Sequence, residues 1–237
     1  MGLLSTRLEA PLELVIIGGA YKSGTSRLCE LVEANGYCNP SSITNATERG
    51  HGISAGMYLT RECSIARDLN RQLVKAGPRG AVELERKLAS YLKDMSGVLG
   101  PRLVLKDPYM KITALSWFRA ARAFGASQLK LLLTDRYLPD VRRSWESSQF
   151  MTRMERVHTE QFRQLITPIS SNLRKQLSVL AVKTHVLKYQ DIILDGYFRE
   201  MADTGYTGQV TSPVHANSKC PQPLARFDLI EQFRMSI

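Results

Sequence analysis

Residues 12–27 read L-E-L-V-I-I-G-G-A-Y-K-S-G-T-S-R and contain the strongest indication of the fold of this chain. Its first half is a short apolar run, which is typical of a strand buried on both faces of a parallel sheet. Glycines, a lysine and three aliphatic hydroxyl side chains follow at the exit of that strand, ahead of a helical pattern. A strand, a glycine turn and a helix N-terminus together favour an anion-binding site, because backbone N–H groups point into the turn.

The spacing within this turn differs from that of the common triphosphate-binding loop. That loop reads G-x-x-x-x-G-K-[ST]. Gly19 and Gly24 have its spacing, but Thr25 stands where its lysine belongs. We also find no apolar strand that ends in a clear magnesium-binding acidic site. A P-loop kinase acting on a small molecule is therefore kept as an alternative function.

Four apolar runs followed by helical patterns predict the fold class. Strands that alternate with helices indicate βα units and a parallel sheet. We predict a single α/β domain over residues 1–237, with three layers and a central parallel sheet flanked by helices. The predicted strands are 14–18, 103–105, 129–134 and 185–189. The predicted helices are 25–35, 57–75, 80–96, 111–124, 139–149, 153–180, 190–203 and 226–235, and long polar loops are predicted at 38–56 and 204–224.

A second candidate anion site follows the strand predicted at 129–134. Asp135-Arg136 ends that strand, a helix is predicted to begin near Pro139, and Ser144 lies eight residues after Arg136. Arginine offers a bidentate fork to a phosphate, and a serine adds a short hydrogen bond. A surface ion pair of Arg136 with a neighbouring aspartate is the alternative.

These segments, taken in order, resemble the sulfotransferase family, whose donor is 3′-phosphoadenylyl sulfate (PAPS). The residues that carry the resemblance are K-S-G-T-S at 22–26 and R-x7-S at 136–144. V-L-K-D-P-Y-M-K at 104–111 is similar to the tyrosylprotein-sulfotransferase and bacterial branch, and V-L-K-Y-Q-D-I-I at 186–193 is similar to a late strand-to-helix segment of the family. The resemblance implies a P-loop NTPase-like fold and transfer of a sulfuryl group to a hydroxyl or amine, with release of 3′,5′-ADP.

The resemblance also implies where the donor binds. The first motif would hold the 5′-phosphosulfate and the second the 3′-phosphate. A loop near the C-terminus differs from that of the cytosolic branch, and H-A-N-S-K at 215–219 is its expected replacement. The implied donor-binding residues are Lys22, Ser23, Gly24, Thr25 and Ser26 at the 5′ end, Arg136 and Ser144 at the 3′ end, and Lys219 in the loop.

The catalytic residues are predicted from the same resemblance and from charge. Lys22 would neutralise the leaving phosphate, and Lys106 would stabilise the transferring group unless it pairs with Asp107. An acceptor hydroxyl benefits from a general base. The resemblance points to Glu48, with His51 as the alternative and Glu62 as a more remote candidate on a predicted helix face.

Two departures from the family keep a further alternative open. The histidine base of the cytosolic branch is absent, because Asp107 follows the lysine here, and the R-K-G-x-x-G loop of that branch is missing near the C-terminus. Separately, Arg27 stands where the family often has an aromatic residue after the first motif. The third hypothesis is therefore a catalytically inactive nucleotide-binding module with the same fold.

Composition limits the partners. Lysine and arginine total 32 against 22 acidic residues, a net charge of +10 that suits an anionic ligand. The charges are dispersed, so no nucleic-acid partner is expected, and a small-molecule or saccharide acceptor is expected instead. The four cysteines, which form no zinc-type spacing, are expected to be reduced thiols, with no metal required. No stretch reaches the roughly 18 apolar residues of a membrane span. The short length and the reduced-looking cysteines favour a cytoplasmic chain. The pattern leaves the oligomeric state open.

Overall fold

The computed structural model describes residues 10–21, 23–41, 61–141 and 164–189. Within these ranges the strands are β1 (Glu13–Gly19), β2 (Arg102–Lys106), β3 (Gln128–Asp135) and β4 (Lys183–Lys188). The helices are α1 (Thr25–Ala34), α2 (Ser64–Leu99), α3 (Met110–Ala123) and α4 (Ser171–Val179).

The strands form one parallel sheet in the order β2-β1-β3-β4. Gly19 at the end of β1 is paired with Thr134 near the end of β3. On the outer side of β2, Cys38 forms a parallel bridge to Leu103. The carboxyl ends of β1, β2 and β3 therefore share one edge of the sheet, where open α/β folds bind ligands.

Helices cover both faces of this sheet because side chains alternate along each strand. Leu14 and Ile16 of β1 belong to a core cluster that also contains residues of α2, α3 and α4. Val15 and Ile17 point the other way and pack with Leu28 and its neighbours on α1. The predicted three-layer α/β architecture is confirmed.

The predicted division between helices 57–75 and 80–96 is wrong. The sequence A-G-P-R-G at 76–80 favours a break, since proline in a helix interior costs about 3 kcal/mol. The structure instead has one helix, α2, running through this segment from Ser64 to Leu99. Leu73 before the segment and Leu84 after it lie in the same core cluster, and packing along the whole helix outweighs the local preference.

The prediction of a continuous helix at 153–180 is also wrong within residues 164–180, the part of this range that the structure describes. Residues 164–166 are helical, 167–170 are not, and α4 begins only at Ser171. The Ser170 hydroxyl accepts a hydrogen bond from the Leu173 N–H at 3.1 Å, which caps the new helix. A smaller difference is that β4 begins two residues earlier than predicted.

Other predictions lie partly or wholly outside the described residues. These are the helices at 190–203 and 226–235, the loop at 204–224, and most of the helix at 139–149 and of the loop at 38–56. Among the described helices, none combines the length and the apolar character needed to cross a membrane. The three described cysteines, Cys29, Cys38 and Cys63, are buried free thiols.

Candidate functional site

The turn after β1 leads directly into the N-terminus of α1. Gly24 is the N-cap residue with a φ of 91°, a left-handed conformation that glycine adopts without the strain of a side chain. Within the described residues no side chain caps this helix, and the Leu28 N–H bonds back to the Gly24 carbonyl at 3.0 Å. The first-turn N–H groups of an uncapped helix are suited to an anion.

A buried hydrogen-bond network joins this turn to β3. The Ser23 hydroxyl donates to the Ala20 carbonyl at 2.6 Å, and its oxygen lies 2.5 Å from Thr134 Oγ1. A Cβ atom on Gly19 would collide with the same Thr134 hydroxyl, so glycine permits the close approach of the two strands. Sequence reasoning missed Thr134, since nothing in the local pattern shows which strand will pair with β1.

Arg136 lies two residues beyond Thr134, at the same edge of the sheet. Its guanidinium carbon is 4.0 Å from the centre of the ring of Tyr189, the residue after β4. Stacking on an aromatic face restricts the guanidinium plane and leaves its edges to donate hydrogen bonds. The two predicted anion-binding regions, more than a hundred residues apart in the chain, thus end adjacent strands.

A buried ion pair lies beside them, at the end of β2. Lys106 Nζ is 2.7 Å from Glu62 Oε1, and the two residues are only 4% and 7% exposed. Arg67 approaches the other carboxylate oxygen at 3.9 Å. From the sequence, an ion pair with Asp107 was the alternative role expected for Lys106. In the structure Lys106 forms its ion pair with Glu62 instead. Glu62 precedes α2 and points inward, whereas the sequence pattern predicted a helix-face residue.

Asp107 is a second carboxyl group in this cluster. Its Oδ1 accepts the Tyr109 N–H at 2.8 Å, whereas its buried Oδ2 has no hydrogen-bond partner among the described residues. Burial, with the nearby Glu62 charge adding to it, raises the pKa of Asp107 to about 7. Asp107 therefore keeps its proton at pH values at which an exposed aspartate is ionised.

Tyr21, inside the turn itself, completes the cluster. Burial raises the pKa of Tyr21, and Asp107 and Tyr109 raise it further. Its hydroxyl is hydrogen-bonded to that of Tyr109, just beyond β2. The turn is thereby connected to β2 on one side and, through Ser23, to β3 on the other.

Several predicted site residues fall outside the described ranges, and their roles remain predictions. They are Lys22, Glu48, His51, Ser144 and Lys219. Of the described ones, Ser23 and Thr25 are buried in the turn, and Ser26 lies in the first turn of α1. Arg27, which stands where an aromatic residue was expected, forms an ion pair with Glu30 at 3.0 Å. In the described ranges, no group of three histidine, cysteine or acidic side chains is arranged to hold a metal ion.

No protein-family model matches the sequence, and the search of curated proteins returned no match. A comparison with solved structures found a sugar kinase from Janibacter sp. HTCC2649, solved in an unliganded state. It is 12% identical in sequence, covers 76% of this chain and 87% of its own, and has a TM-score of 0.37. A TM-score of this size carries no argument about function, so the site has to be interpreted from its own geometry.

Proposed function

We propose that this protein is a sulfotransferase that moves the sulfuryl group of PAPS to a hydroxyl or amine of an acceptor and releases 3′,5′-ADP. The observation that carries the proposal is the pairing of Gly19 with Thr134, since it brings the turn after β1 and Arg136 to one edge of the sheet. Neighbouring strands are about 4.8 Å apart and each residue adds about 3.3 Å. Arg136 is therefore on the order of 10 Å from the turn, within reach of one nucleotide carrying phosphates on both sides of its ribose.

The turn would receive the 5′ end of the donor. Its support is the uncapped N-terminus of α1, where Thr25 and Ser26 add hydroxyl groups to the backbone donors. The charge of Lys22 would offset the negative charge that develops on the leaving phosphate. Arg136, with its guanidinium stacked on Tyr189, would bind the 3′-phosphate together with Ser144.

We assign the general base to Glu62 in preference to Glu48 or His51. Its support is the ion pair with Lys106 at the end of β2, one strand away from the turn. As the bond from the acceptor oxygen to sulfur forms and the bond from sulfur to the phosphate oxygen breaks, Glu62 would take the acceptor proton. In this scheme Lys106 orients Glu62, and most of the rate enhancement comes from alignment and electrostatics.

The acceptor class in this proposal is a small molecule or a saccharide. The likeness to the tyrosylprotein branch concerns donor and catalytic segments only, so it does not extend to a protein-tyrosine acceptor. The proposed scheme uses no metal ion.

Calorimetry with 3′,5′-ADP tests the donor site directly. We expect Lys22→Ala and Arg136→Ala each to weaken binding by at least tenfold. Arg119→Gln is the matched control, since Arg119 is half exposed on α3, away from the turn, where it contacts Glu85 at 3.6 Å and Gln176 at 3.5 Å. Undiminished affinity in both site variants would reject the assignment. Transfer of labelled sulfuryl from PAPS to a panel of alcohols, sugars and amines then tests the reaction.

One observation favours a P-loop kinase as the second candidate. Asp107 follows β2, next to the strand that leads into the turn, and a carboxylate there is suited to a magnesium ion. The opposing observation is its raised pKa, since a magnesium ligand has to be ionised. Magnesium-dependent ATP turnover without PAPS turnover would select the kinase. Binding of 3′,5′-ADP without transfer to any acceptor would select the inactive module.

A further inference from the structure

Arg61 directly precedes Glu62, the proposed general base, and forms ion pairs with α1, the helix that follows the turn after β1. Its Nε lies 3.3 Å from Glu30 Oε1, and its NH1 forms a second ion pair with Glu33. The two carboxylates are three residues apart on α1, so one guanidinium spans one turn of the helix. The Arg61 side chain is only 17% exposed, which limits screening of the pairs by water.

The backbone at Arg61 is held in an uncommon conformation. Its φ is 55°, in the left-handed region that residues with a bulky side chain seldom adopt. The Asn39 side chain donates to the Arg61 carbonyl at 3.1 Å, which adds a second contact to this turn. Directly after this turn, Glu62 points inward to Lys106.

The charges within this arrangement depend on one another. Burial raises the pKa of Glu33 to about 7, and Arg61 opposes that rise. Without the guanidinium, the pKa of Glu33 would rise further, because burial and the neighbouring Glu30 both favour its protonated form. The ion pairs therefore fix the 61–63 segment against α1, the helix whose N-terminus forms part of the proposed donor site.

We propose that Arg61 is a positioning residue: it holds the turn that directs Glu62 towards Lys106, and it ties that base to the helix of the donor site. The catalytic consequence rests on the proposed function, but the structural claim does not. If Arg61 only joined two segments, its removal would not change the loss of stability that follows when Glu62 is deprived of Lys106.

A double-mutant cycle in urea unfolding tests the structural claim without any substrate. The variants are Arg61→Asn, Lys106→Met and the two combined; asparagine is chosen because it tolerates a positive φ. Lys106→Met leaves Glu62 buried without its main cation, so the unfolding midpoint should fall. In the Arg61→Asn background Glu62 is free to turn towards water, and the same substitution should shift the midpoint by half as much or less.

Two outcomes would overturn the proposal. Equal midpoint shifts in both backgrounds would mean that Arg61 acts independently of the pair. A larger shift in the Arg61→Asn background would indicate simple repulsion between two cations. If Arg61→Asn does not fold, Glu33→Gln weakens one of the two Arg61 ion pairs and leaves the Arg27–Glu30 pair in place, and it should reduce the Lys106→Met shift by a smaller amount. No reduction in that variant counts against the proposal.

The catalytic part of the proposal is tested by measuring kcat for sulfuryl transfer. Arg61→Asn should lower kcat at least tenfold while the affinity for 3′,5′-ADP stays within twofold, and Arg61→Lys should restore part of kcat. Loss of nucleotide affinity to the same extent as kcat would contradict a role through Glu62. The unfolding experiment needs no sulfuryl donor. If the Lys106→Met shift is smaller in the Arg61→Asn background but the protein transfers no sulfuryl group, the proposed function is rejected and the positioning role of Arg61 is kept.

Discussion

Replacing Lys106 by methionine gives the sharpest test of the cluster. Methionine is unbranched and only one atom shorter than lysine, and it removes the charge. Glu62 therefore loses a partner at 2.7 Å in a site where both residues are almost fully buried. Removing one partner of a buried ion pair costs roughly 3–5 kcal/mol, because the remaining charge stays buried and uncompensated. Arg67 lies 3.9 Å from Glu62 and compensates part of this charge. We therefore expect the lower end, about 3 kcal/mol.

The assay is urea denaturation at pH 8, followed by circular dichroism and fluorescence. Urea m-values are about 1–3 kcal/mol/M, so the expected loss of stability lowers the midpoint by on the order of 1–3 M. The combined variant Lys106→Met with Glu62→Leu replaces the whole pair by apolar groups and should recover most of the stability. Arg119→Gln, which breaks a half-exposed ion pair, should cost less than about 1 kcal/mol.

Two results would refute this reasoning. A loss below about 1 kcal/mol for Lys106→Met would show that Glu62 is solvated or paired elsewhere in solution. A combined variant as unstable as the single variant would show that packing around Lys106, rather than an unpaired carboxylate, causes the loss.

Three further predictions concern the same edge of the sheet. Because the pKa of Asp107 is raised from 3.8 to about 7, the folded protein holds a proton that the unfolded chain releases, and stability falls as pH rises from about 4 to 7. Asp107→Asn should make this fall in stability shallower when urea midpoints are measured from pH 4.5 to 8. An unchanged dependence on pH would contradict the raised pKa. Gly24→Ala places a side chain at a φ of 91° and should cost about 1–2 kcal/mol in thermal unfolding, with weaker 3′,5′-ADP binding; no loss of either would mean that the turn rearranges freely. Thr134→Val removes the hydroxyl partner of Ser23 and should cost about 1 kcal/mol, whereas Thr134→Ser should retain most of the stability in the same assay.

The sequence was informative where the chemistry is local. The strand-to-helix turn at 12–27, the apolar runs and the glycine N-cap need only neighbouring residues to be recognised, since periodicity and turn preferences are short-range properties. The turn after β1 and Arg136 after β3 were also correctly expected at strand ends, whereas anion binding there stays a prediction. Helix boundaries were less accurate: the break predicted near Pro78 depends on a local cost that the packing of a 36-residue helix overcomes.

Only the tertiary structure decided which side chains meet. Glu62 and Lys106 are 44 positions apart, and Ser23 and Thr134 are 111 apart. No local pattern encodes such contacts, because they depend on strand order and on the path of the segment before α2. The sequence alone predicted a glycine-containing turn between the first strand and a helix, which the structure has, whereas the contacts of that turn with a cation, carboxylates and a hydroxyl depend on the fold. The physical reason is that propensity acts over a few residues, while burial and charge pairing act between whichever surfaces the packed layers bring together.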